Sequence, residues 1–210
     1  MTTHLAFANE EFDGQFGRTL SAAAVGAADL GEAFTTAREI GGKYNPQRWY
    51  ERWLARAESV RDAAEEAHVA GHLVTAHQCY LRAAEYYRQA YFYLRADLDD
   101  QRLRDAYQAH CHTFARAMEL LTHTSSPIVA EQVSIPYATV ETRVSIHGWL
   151  FRPTADDRPR PTIVMPCGYD STAESGWGFA QGALARGYNV LSVEGPGQGS
   201  TCLLYTSPSP

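Results

Sequence analysis

The sequence predicts an α/β protein in two parts, a helical first part followed by the opening strands of a sheet that the chain leaves incomplete. Three observations predict it. Apolar residues recur at three- and four-residue steps through most of the stretch from Trp49 to Leu121, the period of amphipathic helices. After the polar, proline-closed stretch Thr124 to Pro127 the pattern changes to short strands ending in strand–helix–strand, which is how a parallel sheet is built. Finally, Cys202 to Pro210 (CLLYTSPSP) matches, codon for codon, the translation of a transposon adapter used in sequencing libraries. Native sequence is therefore expected to stop near Thr201, just after a strand feeding a glycine-rich loop, and the tail is set aside as a cloning scar would be. The expected organisation is residues 1–127 helical, 128–201 the first part of an α/β core, and 202–210 the non-native tail.

The first residues are too mixed to assign. Asp29 to Ile40 reads as a helix ended by Gly41-Gly42. Asn45-Pro46 then supplies a cap and a proline at the first helical position, followed by Trp49, Trp53, Ala57, Val60, Ala64 and Ala67 on one face of a helix running towards Ala70. After Gly71 a second face carries Leu73, Ala76, Tyr80, Ala83, Tyr87, Tyr91 and Leu94. A third follows Asp99-Asp100, with Leu103, Tyr107, His110, Phe114, Ala117 and Leu121. Short connections imply antiparallel packing.

Beyond Pro127, Val129 to Ile135 is the first strand, and Val144 to Phe151 alternates so that Val144, Ile146 and Leu150 share a face. Thr162 to Met165 is an apolar run without alternation, expected of a strand buried on both sides of a parallel sheet. Ser171 and Glu174 are spaced as a capping box, opening a helix through Trp177, Ala180 and Leu184 that closes at Gly187. Asn189 to Val193 is the last buried strand, expected to expose a pairing edge where the chain stops.

Bulk properties narrow the function. A formal charge of -6 and a pI near 5.7 argue against nucleic acid as a partner. No apolar stretch approaches the roughly 20 residues that span a bilayer, and no signal-peptide pattern opens the chain, so the expected location is cytoplasmic, away from membranes. Cys79, Cys111 and Cys167 are far apart, with no CxxC and no metal-ligand spacing.

Two turns carry chemistry. Pro166-Cys167-Gly168-Tyr169-Asp170-Ser171-Thr172 follows a parallel strand and precedes a helix, a geometry that points backbone N–H groups into the crevice where α/β proteins bind ligands. It reads either as an oxyanion site or as a tight turn in which Asp170 or Ser171 merely caps. Glu194-Gly195-Pro196-Gly197-Gln198-Gly199 lacks both the dinucleotide spacing and the P-loop lysine, and reads best as a crossover loop needing positive φ.

Taken together, RPTIVMPCGYDSTAE, ARGYNVLSVEGPGQG and, upstream, AGHLVTAHQCYLRAAEYYRQAYFYL resemble a bacterial and fungal family of α/β-hydrolases with an N-terminal helical domain, whose members include pseudooxynicotine hydrolase and fungal hydrolases that shorten pigment polyketides. The resemblance runs from about Trp49 to Gly199. It implies a helical cap domain, then a hydrolase core in which the backbone N–H of Tyr169 joins the oxyanion hole. The family usually has two glycines where this chain has Cys167-Gly168. The resemblance further implies a G-x-S-x-G nucleophile elbow on the strand after the next helix, with Asp or Glu and then His later still; no G-x-S-x-G occurs in these residues.

The expected function is thus that of a truncated, bacterial, serine-type α/β-hydrolase acting on an ester, an amide or a diketone-like C–C bond, inactive as it stands, with a small-molecule carbonyl substrate, no cofactor and a homodimer left open. Cys167 is not at an elbow and reads as an inert buried thiol, His110 as a hydrogen-bonded core histidine, and Tyr80, Tyr87 and Tyr91 as packing residues. The alternatives are a helical binding module, since Gly71, His77, Tyr80 and Ala83 have tetratricopeptide-like spacing without its 34-residue period, and a nucleotide-binding α/β domain resting on the glycine loop alone.

Overall fold

In a computed structural model, which describes residues 4–138 and 143–205, the chain forms two compact units, Met1–Leu120 and Leu121–Pro210. The first unit is helical. Its opening helix, α1 (Glu10–Ala22), is capped by Asn9, which accepts from the Phe12 N–H. The sequence pattern did not assign this segment, and Gly14 and Gly17 lower its intrinsic propensity. Packing supplies what propensity lacks: Phe12 and Phe16 are wholly buried, with Phe7 edge-on to both and Trp49 against Phe12 at 4.5 Å between ring centres. The Asp13 carboxylate also gathers the N–H groups of Leu5, Ala6 and Phe7.

Helix α2 (Leu30–Ile40) is capped by Asp29 and ends at Gly41, whose φ of 81° only glycine adopts readily. Helix α3 (Pro46–Val69) starts as expected, with Asn45 accepting from the Arg48 N–H and proline in the first turn, and buries Trp49, Trp53, Ala57, Val60 and Ala64. Helix α4 (Leu73–Tyr91) packs along both α3 and α5 (Gln101–Glu119), and every residue from Cys79 to Tyr91 except Arg82 is buried. A helix so enclosed must satisfy its polar groups internally. Glu85 accepts from Arg88 Nε at 2.8 Å and Gln89 Nε2 at 2.7 Å, and Gln15 reaches Gln89 at 2.8 Å.

The second unit holds a four-stranded sheet in the order β1-β2-β4-β3. β1 (Val129–Ala138) pairs antiparallel with β2 (Arg143–Arg152), β2 antiparallel with β4 (Asn189–Val193), and β4 parallel with β3 (Thr162–Pro166). The face of β2 covered most deeply is not the one expected. Trp149 and Phe151 are buried and stacked, and Phe151 meets Trp177 of α6 (Gly176–Leu184) at 5.3 Å. Ile146 and Leu150, on the opposite side, are half-buried, and the side chain of Val144 lies outside those described.

Three expectations are corrected here. β3 is not enclosed: it lies at the sheet edge, with Ile163 44% and Val164 61% exposed. β4, expected to carry the open edge, lies between β2 and β3. The capping box does not form either. A single 3-10 turn, Ala173–Ser175, precedes α6, no side chain caps it, and Glu174 is drawn inward by the donors His147 and Trp149. Gly187, at φ 82°, does close the α6 segment. The last helix, α7 (Gly199–Tyr205), takes in the first tail residues, and residues 206–210 of the tail lie outside those described.

Candidate active site

β3 and β4 run in register to Pro166 and Val193, and the Cys167 N–H continues their ladder to the Val193 carbonyl at 2.9 Å. Beyond that point the strands part. Ser171 N–H closes a turn on Gly168 O at 3.0 Å, leaving Tyr169 at the turn's centre, 75% exposed. The Tyr169 N–H has no acceptor among the described residues. The turn therefore presents a backbone donor at the carboxyl end of a parallel strand, where an anionic oxygen would be received.

The glycine loop after β4 is folded on itself. Gly197 and Gly199 have φ of 78° and 45°, as the crossover reading expects. Three of its donors are consumed locally: Gly195 N–H goes to Gln198 Oε1 at 2.6 Å, Ser200 N–H to Glu194 Oε2 at 2.8 Å, and Gln198 N–H to Gly195 O at 3.0 Å. A side chain on Gly199 would collide with the Glu194 carboxylate, its Cβ falling 1.9 Å from Oε1. The Glu194 carboxylate turned into the loop would repel a phosphate, and three of the N–H groups that could hold one are already spent, which counts against the nucleotide-binding alternative.

Behind both turns lies a buried acid–base cluster. Glu174 Oε1 accepts from His147 Nε2 at 2.8 Å and from Trp149 Nε1 at 3.2 Å. Burial pushes the His147 pKa down, but the Glu174 carboxylate beside it more than offsets this, and the net shift is upward. Burial and then the Glu174 charge raise the Glu194 carboxyl. Burial, reinforced by Glu194, pushes the Cys167 thiol up to about 12. That is the opposite of an activated nucleophile and agrees with an inert thiol.

The remaining candidates lie in the helical unit and pack there. His110 is buried and its Nδ1–H donates to the Ala84 carbonyl at 2.8 Å. Tyr80, Tyr87 and Tyr91 are all buried: Arg116 lies over the Tyr80 ring, Arg61 donates to the Tyr87 hydroxyl at 3.0 Å, and Tyr91 lies edge-on to Tyr107 and His110. Sequence reasoning missed His147, Glu174, Glu194 and Gln198 as site-shaping residues. Glu174 carried a signal only as a cap, through its spacing from Ser171, and Glu194 and Gln198 only as members of the glycine loop.

No protein-family model matches the chain. Curated fungal proteins do. The chain is similar to 20-hydroxy-prefusarin hydrolase FUS2 of Gibberella moniliformis, 34% identical over 200 residues, covering 93% of this chain and 46% of that protein. It is also similar to the hydrolase acrC of Aspergillus aculeatus (32% identical, 92% of this chain and 46% of that protein) and to the α/β-hydrolase xenA of Xenoacremonium sinensis (34%, with 90% and 43%). The chain spans about half the length of the curated relatives it matches. Their fungal sources lend no support to the expected bacterial origin. Among solved structures, 2,6-dihydroxy-pseudo-oxynicotine hydrolase superposes with a TM-score of 0.63 at 20% identity, over 86% of this chain and 46% of that one. AbyA5 gives 0.56 at 18% identity, over 94% and 48%. Among the described residues, no helix is long and apolar enough to cross a membrane. By sequence, then, the chain is similar to about half the length of fungal hydrolases, and its fold, a helical domain followed by a mixed sheet, is that of the α/β-hydrolase structures it superposes on.

Proposed function

We propose that this chain is the front part of a serine-type hydrolase that cleaves a small carbonyl compound, an ester, an amide or a diketone-like C–C bond. The observation that carries the reading is that Tyr169, an exposed turn residue just past the carboxyl end of β3, has an N–H without an acceptor among the described residues. In such chemistry a serine oxygen attacks the carbonyl carbon while a histidine takes its proton, and the carbonyl oxygen becomes an oxyanion that accepts from preset N–H donors. Collapse expels the leaving group, and water then releases the acyl group. Tyr169 N–H is one of those donors, and the serine, the acid and the histidine lie beyond Thr201 in the complete protein. The similarity to FUS2, named as a hydrolase of 20-hydroxy-prefusarin, supports a small organic substrate. A cytoplasmic location and independence from metals and organic cofactors belong to the same reading.

The test is to sequence an intact copy of the gene and express it. The reading frame is expected to continue past Thr201 through a helix, a strand, G-x-S-x-G, an acidic residue and a histidine. That longer protein should turn over activated esters, while the 210-residue chain should not. A natural stop codon near Thr201, or ester turnover by the purified 210-residue chain, would overturn the proposal.

A further inference from the structure

The separation of β3 and β4 at the candidate site has a specific cause. In a parallel pair the ladder bonds are evenly spaced, and every second residue of a strand donates to one partner and accepts from the residue two further along. Cys167 donates to Val193 O at 2.9 Å, so an unbroken ladder would continue with Gly195 N–H donating to Cys167 O. That bond is absent from the ladder. The Gln198 side chain occupies its place: Gly195 N–H donates to Gln198 Oε1 at 2.6 Å, and Gln198 Nε2 donates to Cys167 O at 2.8 Å. One ladder bond has become two, with a primary amide between them. The Cys167 thiol adds a third contact, donating to Oε1 at 3.3 Å.

The amide has two consequences. It holds the strand ends apart by the width of one amide group where the crevice opens. It also fixes the Cys167–Gly168 peptide: a trans peptide is planar with its C=O and N–H opposed, so tying Cys167 O to Gln198 sends the Gly168 N–H the other way. This peptide leads directly into the turn carrying Tyr169. We propose that Gln198 is a positioning residue, an amide wedge in the β3–β4 ladder that sets the orientation of the oxyanion turn. The positioning role rests on the function proposed for Tyr169, whereas the wedge itself can be tested without activity.

Cys167 is a built-in reporter, because its thiol is held by the same amide. The 210-residue chain is treated with 4,4′-dithiodipyridine, which reacts with thiols even at acid pH, and labelling at Cys167 is resolved from Cys79, Cys111 and Cys202 by peptide mass. Gln198→Met keeps the bulk and removes the bonds, and is expected to speed Cys167 labelling about tenfold or more, as the loss of two to three hydrogen bonds implies. Gln198→Glu provides the rescue. A protonated carboxyl restores one donor and one acceptor, whereas a carboxylate faces the Cys167 carbonyl with acceptors only. Its labelling rate relative to the unsubstituted chain at the same pH should be near one at acid pH and rise as the carboxyl ionises. Taking the ratio removes what the neighbouring groups Cys167, Glu194, Glu174 and His147 contribute equally to both chains. Labelling unchanged by Gln198→Met, or a Gln198→Glu ratio independent of pH, would overturn the wedge. In the longer enzyme, Gln198→Met should lower kcat with little change in KM. If the wedge results hold but a folded Tyr169→Pro enzyme keeps normal kcat, the oxyanion reading falls and the positioning role falls with it.

Discussion

A hydroxyl and an N–H on one residue make distinguishable predictions. Tyr169 is exposed, and its side chain makes no hydrogen bond, aromatic or cation–π contact among the described residues. Tyr169→Phe in the full-length enzyme is therefore expected to leave kcat almost unchanged. Tyr169→Pro removes the N–H, and losing an oxyanion donor costs about 10²–10³ in kcat. Proline also constrains φ and the preceding residue, so the comparison requires circular dichroism and a melting temperature showing that the fold is kept. A folded proline variant with near-normal kcat removes Tyr169 from the mechanism, and a severe loss in the phenylalanine variant transfers the role to the hydroxyl. Cys167, two residues earlier, shows why residue type alone misleads: a cysteine at a strand end invites a nucleophile, but burial and Glu194 hold it as a thiol.

Two glycines of a single element, α6, give the element-scale test. A Cβ on Gly176 would fall 2.1 Å from Ser192 Oγ and 2.8 Å from Met165 Cε, because the start of α6 is pressed against β3 and β4. Gly176→Ala is expected to destabilise by about 1–3 kcal/mol, as overpacking does. At Gly182 the nearest atom is Arg186 Nη1 at 3.7 Å, so alanine there should stabilise by up to about 1 kcal/mol through helix propensity. Melting temperatures shifted in the same direction would contradict this account of α6 packing. The contrast also marks what was legible in the sequence. Helices α2, α3 and α5 were readable because Asp29, Asn45 and Asp100 cap them and apolar period confirms them. Helix α1 was not, since aromatic contacts with Phe7 and Trp49, distant or outside its own period, stabilise it. The turn at Tyr169 was legible as a strand-to-helix junction. Its support was not, because Gln198, Glu174 and His147 converge from separate elements and nothing in a linear pattern records which side chain a strand turns inward.

At the scale of the whole molecule, the two units are predicted to respond to pH in opposite senses. In the helical unit the shifted groups favour neutral pH. Burial lowers the His77 pKa despite the Nδ1–H donated to Ala117 O at 2.7 Å. Burial opposes ionisation of Asp13 and Glu85, but the N–H donors around Asp13 and the Arg88 charge beside Glu85 win, and both carboxyls end lowered. A lowered folded-state pKa gives stability that is complete above the unfolded value and lost as pH falls towards the folded one. This unit should therefore weaken on acidification, from the ordinary histidine value of 6.5 downward and further below the ordinary carboxyl values of 4.5 and 3.8. In the sheet unit His147 and Glu194 are both raised, so their contribution is complete below 6.5 and 4.5 respectively and is lost as pH rises through the folded-state values. Asp156 is shifted the other way by Arg160, but it is exposed and solvent screening leaves it little weight. Hydrogen exchange between about pH 4 and 8, corrected for the intrinsic pH dependence of exchange and read by peptide, should show protection of α3 to α5 rising with pH while that of β2 and β4 falls. His147→Gln should flatten the sheet unit's profile above 6.5 without changing that of the helical unit. Parallel slopes in both units would show that these buried groups do not govern their stabilities.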